Sequence, residues 1–204
     1  LDKTGFAMAQ QDVRFFFYVK LLEIGQGMVQ AVATDGHRLA LNSLGVPEAN
    51  ADKQVILPRK GVLELQRLLQ EVDGDVVVTI SSNHLRVATN EFALTTKLLD
   101  GKFPDYERVI PRDGNRVIHA DREELRQALS RTAILSNEKF RAIRVSFTSG
   151  TIQLSANNPE QEEAEETVSV DYQGDAVEIG FNVSYLQDVL GVLDSDKVRI
   201  TVLD

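Results

Sequence analysis

The chain has 204 residues, of which 43% are hydrophobic and 26% are charged, as in an ordinary globular protein of one or two domains. It contains no cysteine, which excludes disulfides, thiolate metal sites and cysteine nucleophiles. It has no apolar run of about 18 residues and no signal peptide at Leu1, so we expect a cytoplasmic protein.

Charge is distributed unevenly along the sequence. The formal net charge of −9 by itself argues against nucleic-acid binding, because phosphate binding normally leaves a basic surface. Between Val145 and Asp196, however, eleven residues are acidic and none is Lys or Arg, so that segment carries −11 and the remainder carries +2. An acidic surface therefore masks a mildly basic remainder, and partners of either sign are compatible with the sequence.

Helices are predicted by apolar residues spaced three and four apart, at residues 59–70, 121–135 and 182–193. Asp121 and Glu124 form a D-x-x-E pattern that is typical of a helix N-terminus, and Asn182 is a favoured N-cap residue. Strands are predicted where apolar and polar residues alternate, as at 92–97 and 152–156. The alternation is typical of antiparallel sheets with one solvated face, so the sequence predicts an α+β fold.

An internal repeat divides the chain. Gly27-Met28-Val29-Gln30 returns 123 residues later as Gly150-Thr151-Ile152-Gln153. The valines and isoleucine of residues 76–80 likewise match those of residues 198–202. A period of this length indicates duplicated domains. We predict one domain at residues 1–106, a linker at 107–116 with Pro, Asp and Gly, and a second domain at 117–204.

The two copies differ in what they contain. After Ile80 the first copy continues with two predicted strands through residues 84–98, whereas the second copy ends just past the matching strand. Conversely, the counterpart of the helix at 121–135 would fall mostly before Leu1. We therefore expect domains that are truncated at both ends.

No catalytic or metal site is predicted. His37, His84 and His119 lie on separate segments, so they imply neither a zinc triad nor a catalytic constellation. Residues 96–103 mimic a P-loop but lack its first glycine and end in Phe. The acidic run at 160–166 lacks the Asp-x-Asp-x-Asp-Gly pattern of a calcium loop. We expect no cofactor.

Five separated motifs carry a family resemblance: VATDGHRLA at 32–40, PRKG at 58–61, DGKFPDY at 100–106, LSNEKFR at 135–141 and NNPEQEEAEE at 157–166. Together they resemble the bacterial DNA polymerase III beta subunits, the replicative sliding clamps. The resemblance implies a DNA-clamp fold, with antiparallel sheets outside and helices on the inner face. It implies most of the second and third of three domains in a non-catalytic processivity factor for DNA replication.

The resemblance also implies a ring of two subunits that encircles duplex DNA without reading its sequence. Such a ring needs only weak phosphate contacts, and an acidic outer surface discourages DNA from binding there. Family positions that contact DNA match Gln11, Phe15, Phe16, Arg59 and Lys60. Arg122, Arg126 and Arg131 add positive charge to a helix expected at the inner wall, without an assigned contact.

A cleft between the second and third domains is implied as well, which binds short motifs with Leu and Phe anchors. Such partners in the family are the DNA polymerase III catalytic subunit, the clamp loader, other polymerases and repair proteins. The matching positions are Arg14, Phe17, Thr34, Gly36, His37, Arg38, Leu39, Pro104, Arg108, Val109 and Phe140. In one departure, Phe17-Tyr18-Val19 replaces the usual Leu-Asn-Gly and removes residues that tolerate positive φ.

The homodimer implied by the family is held by a head-to-tail contact between the third domain and the first domain of the other subunit. The matching positions here are Ile134, Leu135, Glu160, Glu162, Glu163, Glu165 and Glu166. The apolar pair would form the core of the contact. The carboxylates would face basic residues, and their repulsion would discourage pairing with a copy of the same strand.

Two other functions are compatible with the residues. A peptide-docking scaffold would keep the cleft without forming a ring, and a further domain copy before Leu1 would favour the clamp over the scaffold. An enzyme centred on His37 and Asp35 lacks a second catalytic group in the same motif.

Overall fold

The computed structural model describes residues 1–9, 19–49, 51–112 and 114–203. These residues form two compact units, Leu1–Tyr106 and Glu107–Asp204. The boundary falls at the start of the predicted linker. Regular structure reaches into both ends of that linker, because a 3-10 turn spans Tyr106–Arg108 and a strand begins at Arg116.

The first unit contains two antiparallel sheets and a helix between them in sequence. Its elements are α1 (Asp2–Gly5), β1 (Val19–Gly25), β2 (Met28–Thr34), β3 (Leu39–Gly45), β4 (Lys53–Pro58), α2 (Arg59–Leu69), β5 (Val77–Ile80), β6 (His84–Ala88) and β7 (Ala93–Lys97). One sheet has the strand order β3-β2-β1-β4 and the other the order β5-β6-β7. The two strands predicted after Ile80 are confirmed.

The first half of β1, at the centre of the four-stranded sheet, is buried on both faces. The core face of the sheet carries Leu22 and Leu57, which cluster with Val62 and other apolar residues of α2. Residues of the opposite parity, such as Leu21, are buried as well. The segment after β7 reaches this sheet, because the backbone N–H of Leu99 donates to the carbonyl of Ile56 at 2.9 Å.

The second unit is built around one six-stranded antiparallel sheet. Its elements are β8 (Arg116–Asp121), α3 (Arg122–Ala133), β9 (Ala142–Thr148), β10 (Thr151–Asn157), β11 (Glu163–Asp171), β12 (Val177–Asn182), α4 (Val183–Val192) and β13 (Lys197–Val202). The strand order is β12-β9-β10-β11-β8-β13. One core joins the sheet to both helices through Leu129 of α3, Leu154 of β10 and Leu190 of α4.

Both predicted N-caps of this unit are confirmed. The Asp121 carboxylate accepts a hydrogen bond from the backbone N–H of Glu124 at 2.8 Å, and the Asn182 side chain accepts one from Ser184 at 2.9 Å. Each cap satisfies a backbone donor that the first helical turn leaves without a partner. The helices end one or two residues earlier than predicted, because apolar spacing marks a face more sharply than an end.

The internal repeat is a structural repeat. The succession β1-β2-β3-β4-α2-β5 of the first unit recurs as β9-β10-β11-β12-α4-β13 in the second. The sheet order β3-β2-β1-β4 corresponds to β11-β10-β9-β12. The two units are therefore copies of one α+β design, and β3 corresponds to β11. The predicted α+β class is confirmed.

Candidate functional site

The segment from Thr34 to Leu39 is the hairpin loop that joins β2 to β3. Thr34 and Leu39 face each other as the last strand pair. The Thr34 hydroxyl donates to the carbonyl of Arg38 at 2.7 Å and accepts from the N–H of Gly36 at 3.1 Å. Gly36 has a φ of +88°, which glycine adopts without strain. The loop is therefore closed by its own polar groups.

Asp35 organises the loop from within. Its Oδ1 accepts from the backbone N–H groups of His37 at 2.9 Å and Arg38 at 3.0 Å. Its Oδ2 accepts from the Arg38 Nε at 3.0 Å. Because the carboxylate is committed to these three donors, it orients the loop, and the geometry gives no support to a catalytic pair with His37. His37 itself is exposed.

Arg38 ties this loop to the segment that follows α1. Its Nη2 donates to the carbonyl of Phe6 at 2.8 Å, and its guanidinium lies 5.3 Å from the centre of the Phe6 ring. The Arg38 side chain is 19% exposed and that of Asp35 is 14% exposed. Sequence reasoning identified Arg38 and named Asp35 only in a catalytic alternative, and it missed both the role of Asp35 in the loop and Phe6. The T-D-G sequence was a signal for Asp35, because Asp commonly bonds backbone amides two and three residues ahead.

Pro104 belongs to a segment that lies on the same sheet. Phe103 and Tyr106 are both buried, and their rings meet edge to face with centroids 6.4 Å apart. Pro104 between them is exposed. The two buried rings therefore flank two exposed residues, Pro104 and Asp105. The loop and this segment are the two parts of the predicted peptide site that the first unit brings to one sheet.

The remaining predicted peptide-site residues of the described chain belong to the second unit. Arg108 and Val109 lie two and three residues after Tyr106, and Val109 is 68% exposed. Phe140 is also largely exposed, and the Lys139 ammonium lies 5.2 Å from its ring centre. Val109 and Phe140 therefore both present apolar surface to solvent.

Arg59 and Lys60 are the first two residues of α2. The helix dipole disfavours cations at a helix N-terminus, so the two side chains do not stabilise the helix there. The same dipole attracts anions, so the helix start and the two cations together favour phosphate. Arg59 is half-buried and its Nη1 donates to the carbonyl of Ala9 at 3.3 Å, whereas Lys60 is exposed. A Cβ on the next residue, Gly61, would lie 2.6 Å from the Thr96 hydroxyl, so the glycine allows the helix start to approach β7.

Each of the three arginines of α3 has a partner within its own unit. Arg122 donates to the carbonyls of Ser195 and Leu190. Arg126 makes two bonds to Glu123, and the pKa of that carboxyl is lowered to about 2 because it accepts from Arg126 and Gln127. Arg131 makes two bonds to Glu166, at 2.6 and 3.0 Å, which lower the pKa of Glu166.

The acidic residues lie along β11 and in the turn before it. β11 pairs with β10 along Glu163–Ser169 but meets β8 only at Val170 and Asp171. Within the described ranges, residues 163–169 therefore have one open hydrogen-bonding edge. Ile134, just past α3, is 76% exposed, while Leu135 is half-buried. Glu160, Glu162, Glu163 and Glu165 are exposed.

Five predicted site residues lie outside the described residues: Gln11, Arg14, Phe15, Phe16 and Phe17. In the part that is described, no three or more His, Cys, Asp or Glu side chains are arranged to hold a metal ion. None of the helices in those same ranges has the length and hydropathy of a membrane-spanning segment.

Two copies of an antiparallel sheet with a helix, one ending in an acidic open edge, define a DNA-clamp fold. Family models give the same assignment. The central domain of the DNA polymerase III beta subunit matches residues 1–105, and its C-terminal domain matches residues 107–204. The chain belongs to the DNA polymerase III beta subunit family.

Several relatives are similar along the whole chain. The beta sliding clamp of Pseudomonas aeruginosa is 57% identical and that of Escherichia coli 46% identical, each over all of this chain and 56% of the relative. The crystal structure of the DNA polymerase III subunit beta from Pseudomonas aeruginosa matches with a TM-score of 0.95 at 56% identity, and a Caulobacter crescentus beta sliding clamp with 0.93 at 38%. These alignments also cover all of this chain and 56% of the solved one. The chain thus spans a little over half the length of these relatives.

Proposed function

We propose that the protein containing this chain is a DNA sliding clamp, a non-catalytic processivity factor that encircles duplex DNA and tethers replication proteins. The observation that carries the proposal is the match of two successive clamp domains along the chain. Processivity then comes from ring closure, so the protein needs only weak contacts with DNA and no catalytic group. We infer that it works in the cytoplasm with the DNA polymerase III catalytic subunit and the clamp loader.

DNA contact is assigned to the start of α2. Arg59 and Lys60 combine two cationic side chains with the positive end of a helix dipole, which attracts phosphate without reading sequence. The Arg59 guanidinium also bonds a backbone carbonyl, so Lys60 is the residue whose charge is tested most cleanly. Gln11, Phe15 and Phe16 are assigned to the same role from the resemblance alone.

Partner binding is assigned to the hairpin loop and to the segment that begins at Pro104. The loop is held in one conformation by Asp35 and Thr34, so its exposed groups are ordered before a peptide arrives. Ordering a site in advance reduces the entropy lost on binding. The assigned residues are Thr34, Gly36, His37, Arg38, Leu39, Pro104, Arg108, Val109 and Phe140, with Arg14 and Phe17 from the resemblance.

Assembly is assigned to the open edge of β11. An edge strand offers unpaired backbone groups to a strand of another subunit, and the carboxylates of Glu163 and Glu165 select a basic partner. The two hydrogen bonds from Arg131 hold Glu166 in place beside this edge. Ile134 supplies an exposed apolar contact. Leu135, Glu160 and Glu162 complete the proposed homodimer surface.

The function is tested by retention of the complete natural protein on circular DNA. Lys60→Glu is compared with Arg67→Glu, which reverses an exposed charge in the last turn of the same helix. We expect Lys60→Glu to shorten the residence time and to reduce the slope of log affinity against log salt by about 1, the effect of about one lost phosphate contact. We expect Arg67→Glu to behave like the unmodified protein.

Equal retention of both variants would contradict the DNA contact at α2. If the unmodified protein does not remain on circular DNA but still binds a peptide with Leu and Phe anchors, the result would contradict the clamp function and favour a docking scaffold. A clamp that slides should also leave linear DNA far faster than circular DNA, because its attachment is topological.

A further inference from the structure

Polar side chains form a hydrogen-bonded row across all four strands of the first sheet. Ser43, Gln30, Glu23 and Gln54 occupy facing positions on β3, β2, β1 and β4. The Ser43 hydroxyl donates to the Gln30 Oε1 at 2.9 Å, and the Gln30 Nε2 donates to the Glu23 Oε2 at 3.3 Å. The Gln54 Nε2 donates to the other oxygen of Glu23. The row therefore converges on one carboxylate.

Tyr106 meets this row from outside the sheet. Its hydroxyl donates to the Glu23 Oε2 and accepts from the Gln30 Nε2 at 2.7 Å. The Tyr106 residue is only 7% exposed, and its ring packs on Phe103. A buried phenol whose hydroxyl both donates and accepts is held in one orientation, and removing a partner leaves a buried polar group unsatisfied.

The residues fixed by this bond flank those assigned to peptide binding. Phe103 and Tyr106 are buried while Pro104 between them is exposed, and the 3-10 turn that begins at Tyr106 ends at Arg108. In sequence the partners Glu23 and Tyr106 are 83 residues apart. The bond therefore fixes the end of the first unit, at Tyr106, to the sheet that also carries the hairpin loop from Thr34 to Leu39.

We propose that Glu23, Gln30 and Tyr106 are positioning residues of the peptide-binding surface, which hold Pro104 and the turn to Arg108 in the conformation that a partner peptide selects. The inference rests on the proposed peptide-binding function and adds three residues that do not touch the peptide. When such an anchor is lost, the competent conformation is populated for a smaller fraction of the time. The apparent Kd then rises by the inverse of that fraction.

The test uses the complete natural protein and a fluorescent peptide with Leu and Phe anchors, with association and dissociation followed separately. We expect Tyr106→Phe and Glu23→Ala each to weaken binding by about three- to tenfold, because both variants lose the Tyr106–Glu23 bond, and one partly solvated hydrogen bond contributes roughly that much. The loss should appear as slower association with an unchanged dissociation rate, because the bound peptide contacts none of these side chains. The double variant should be no weaker than the weaker single one.

Two further variants separate positioning from general destabilisation. Glu23→Gln keeps a carbonyl acceptor for the Tyr106 hydroxyl and should restore most of the binding. Ser43→Ala removes a hydrogen bond from the far end of the same row and should leave binding unchanged. Thermal unfolding and retention on circular DNA are measured for every variant, and Glu23→Ala carries the test if Tyr106→Phe does not fold.

The outcomes distinguish the two levels of the proposal. Failure of the unmodified protein to bind the peptide would refute the peptide-binding function. If the unmodified protein binds, Tyr106→Phe and Glu23→Ala variants that both bind the peptide as tightly as the unmodified protein would refute the positioning role alone. A loss carried only by faster dissociation, additive effects in the double variant, or a Ser43→Ala loss as large as that of Tyr106→Phe would refute it as well.

Discussion

Replacing Asp35 should disorder the hairpin loop from Thr34 to Leu39 and weaken peptide binding without unfolding the protein. Asp35→Ala removes two backbone hydrogen bonds and one charge-assisted bond to Arg38. Buried bonds to a charged group contribute about 1.5–3 kcal/mol each. Because this loop is partly exposed, water replaces part of what is lost, and we take about 2–4 kcal/mol as the free energy by which the three bonds stabilise the ordered loop. If binding requires the ordered loop, this free energy corresponds to a fall in peptide affinity of roughly 30- to 900-fold.

The chain offers a matched control for this substitution. Arg67 and Glu64 form another Arg–carboxylate pair three residues apart, but their side chains are 65% and 46% exposed, against 19% and 14% for Arg38 and Asp35. Exposed pairs of this kind contribute little, so Glu64→Ala should leave binding unchanged. Asp35→Asn keeps an oxygen for the two backbone donors and should fall between Asp35→Ala and the unmodified protein.

The assay is fluorescence anisotropy of the labelled peptide, with thermal unfolding as the control for folding. The reasoning is refuted if Asp35→Ala binds the peptide as tightly as Glu64→Ala does. It is also refuted if the affinity loss is matched by global unfolding, because then the carboxylate stabilises the whole unit rather than the loop.

Three further predictions concern stability and assembly. Burial lowers the pKa of Lys20 to about 8, so between about pH 8 and 10.5 the unfolded chain binds more protons and stability should rise with pH. Lys20→Met should flatten that rise in urea denaturation and stabilise the protein at pH 7 by at most ~3 kcal/mol; an unchanged pH profile would contradict the burial. Gly61→Ala should lower the unfolding temperature, with a free-energy cost of about 1–3 kcal/mol from the contact with Thr96, and Thr96→Ala should relieve part of it. Ile134→Asp with Leu135→Asp in the complete protein should yield folded monomers by sedimentation; an intact dimer would contradict the assembly surface.

Local features of the fold were predictable from the sequence, because the interactions that determine them lie within a few residues. The N-caps at Asp121 and Asn182 each bond a backbone amide two or three residues ahead. The alternation at residues 151–157 of β10 reports which side chains face the core. The repeat was visible because the two units carry apolar residues at corresponding positions of the sequence.

Long-range polar contacts were not predictable in the same way. Arg38 reaches Phe6, 32 residues away, and Arg131 reaches Glu166, 35 residues away. No local pattern encodes such pairs, since they depend on which strands become neighbours. For the same reason the residues alone indicated only an acidic run at 160–166, and the expectation of an exposed sheet edge there came from the family resemblance.

Duplication gives a protein two strands of the same backbone design, and within the described ranges β3 and the Glu163–Ser169 part of β11 each have an open edge. β11 carries Glu163, Glu165 and Glu166, whereas β3 has no charged residue and exposes Leu41 and Leu44. Backbone edges alone pair with little selectivity. An incoming strand with basic side chains is attracted to the first edge and gains nothing electrostatic from the second. The difference in charge between β3 and β11 therefore gives two strands of one design different electrostatic preferences for a neighbouring strand.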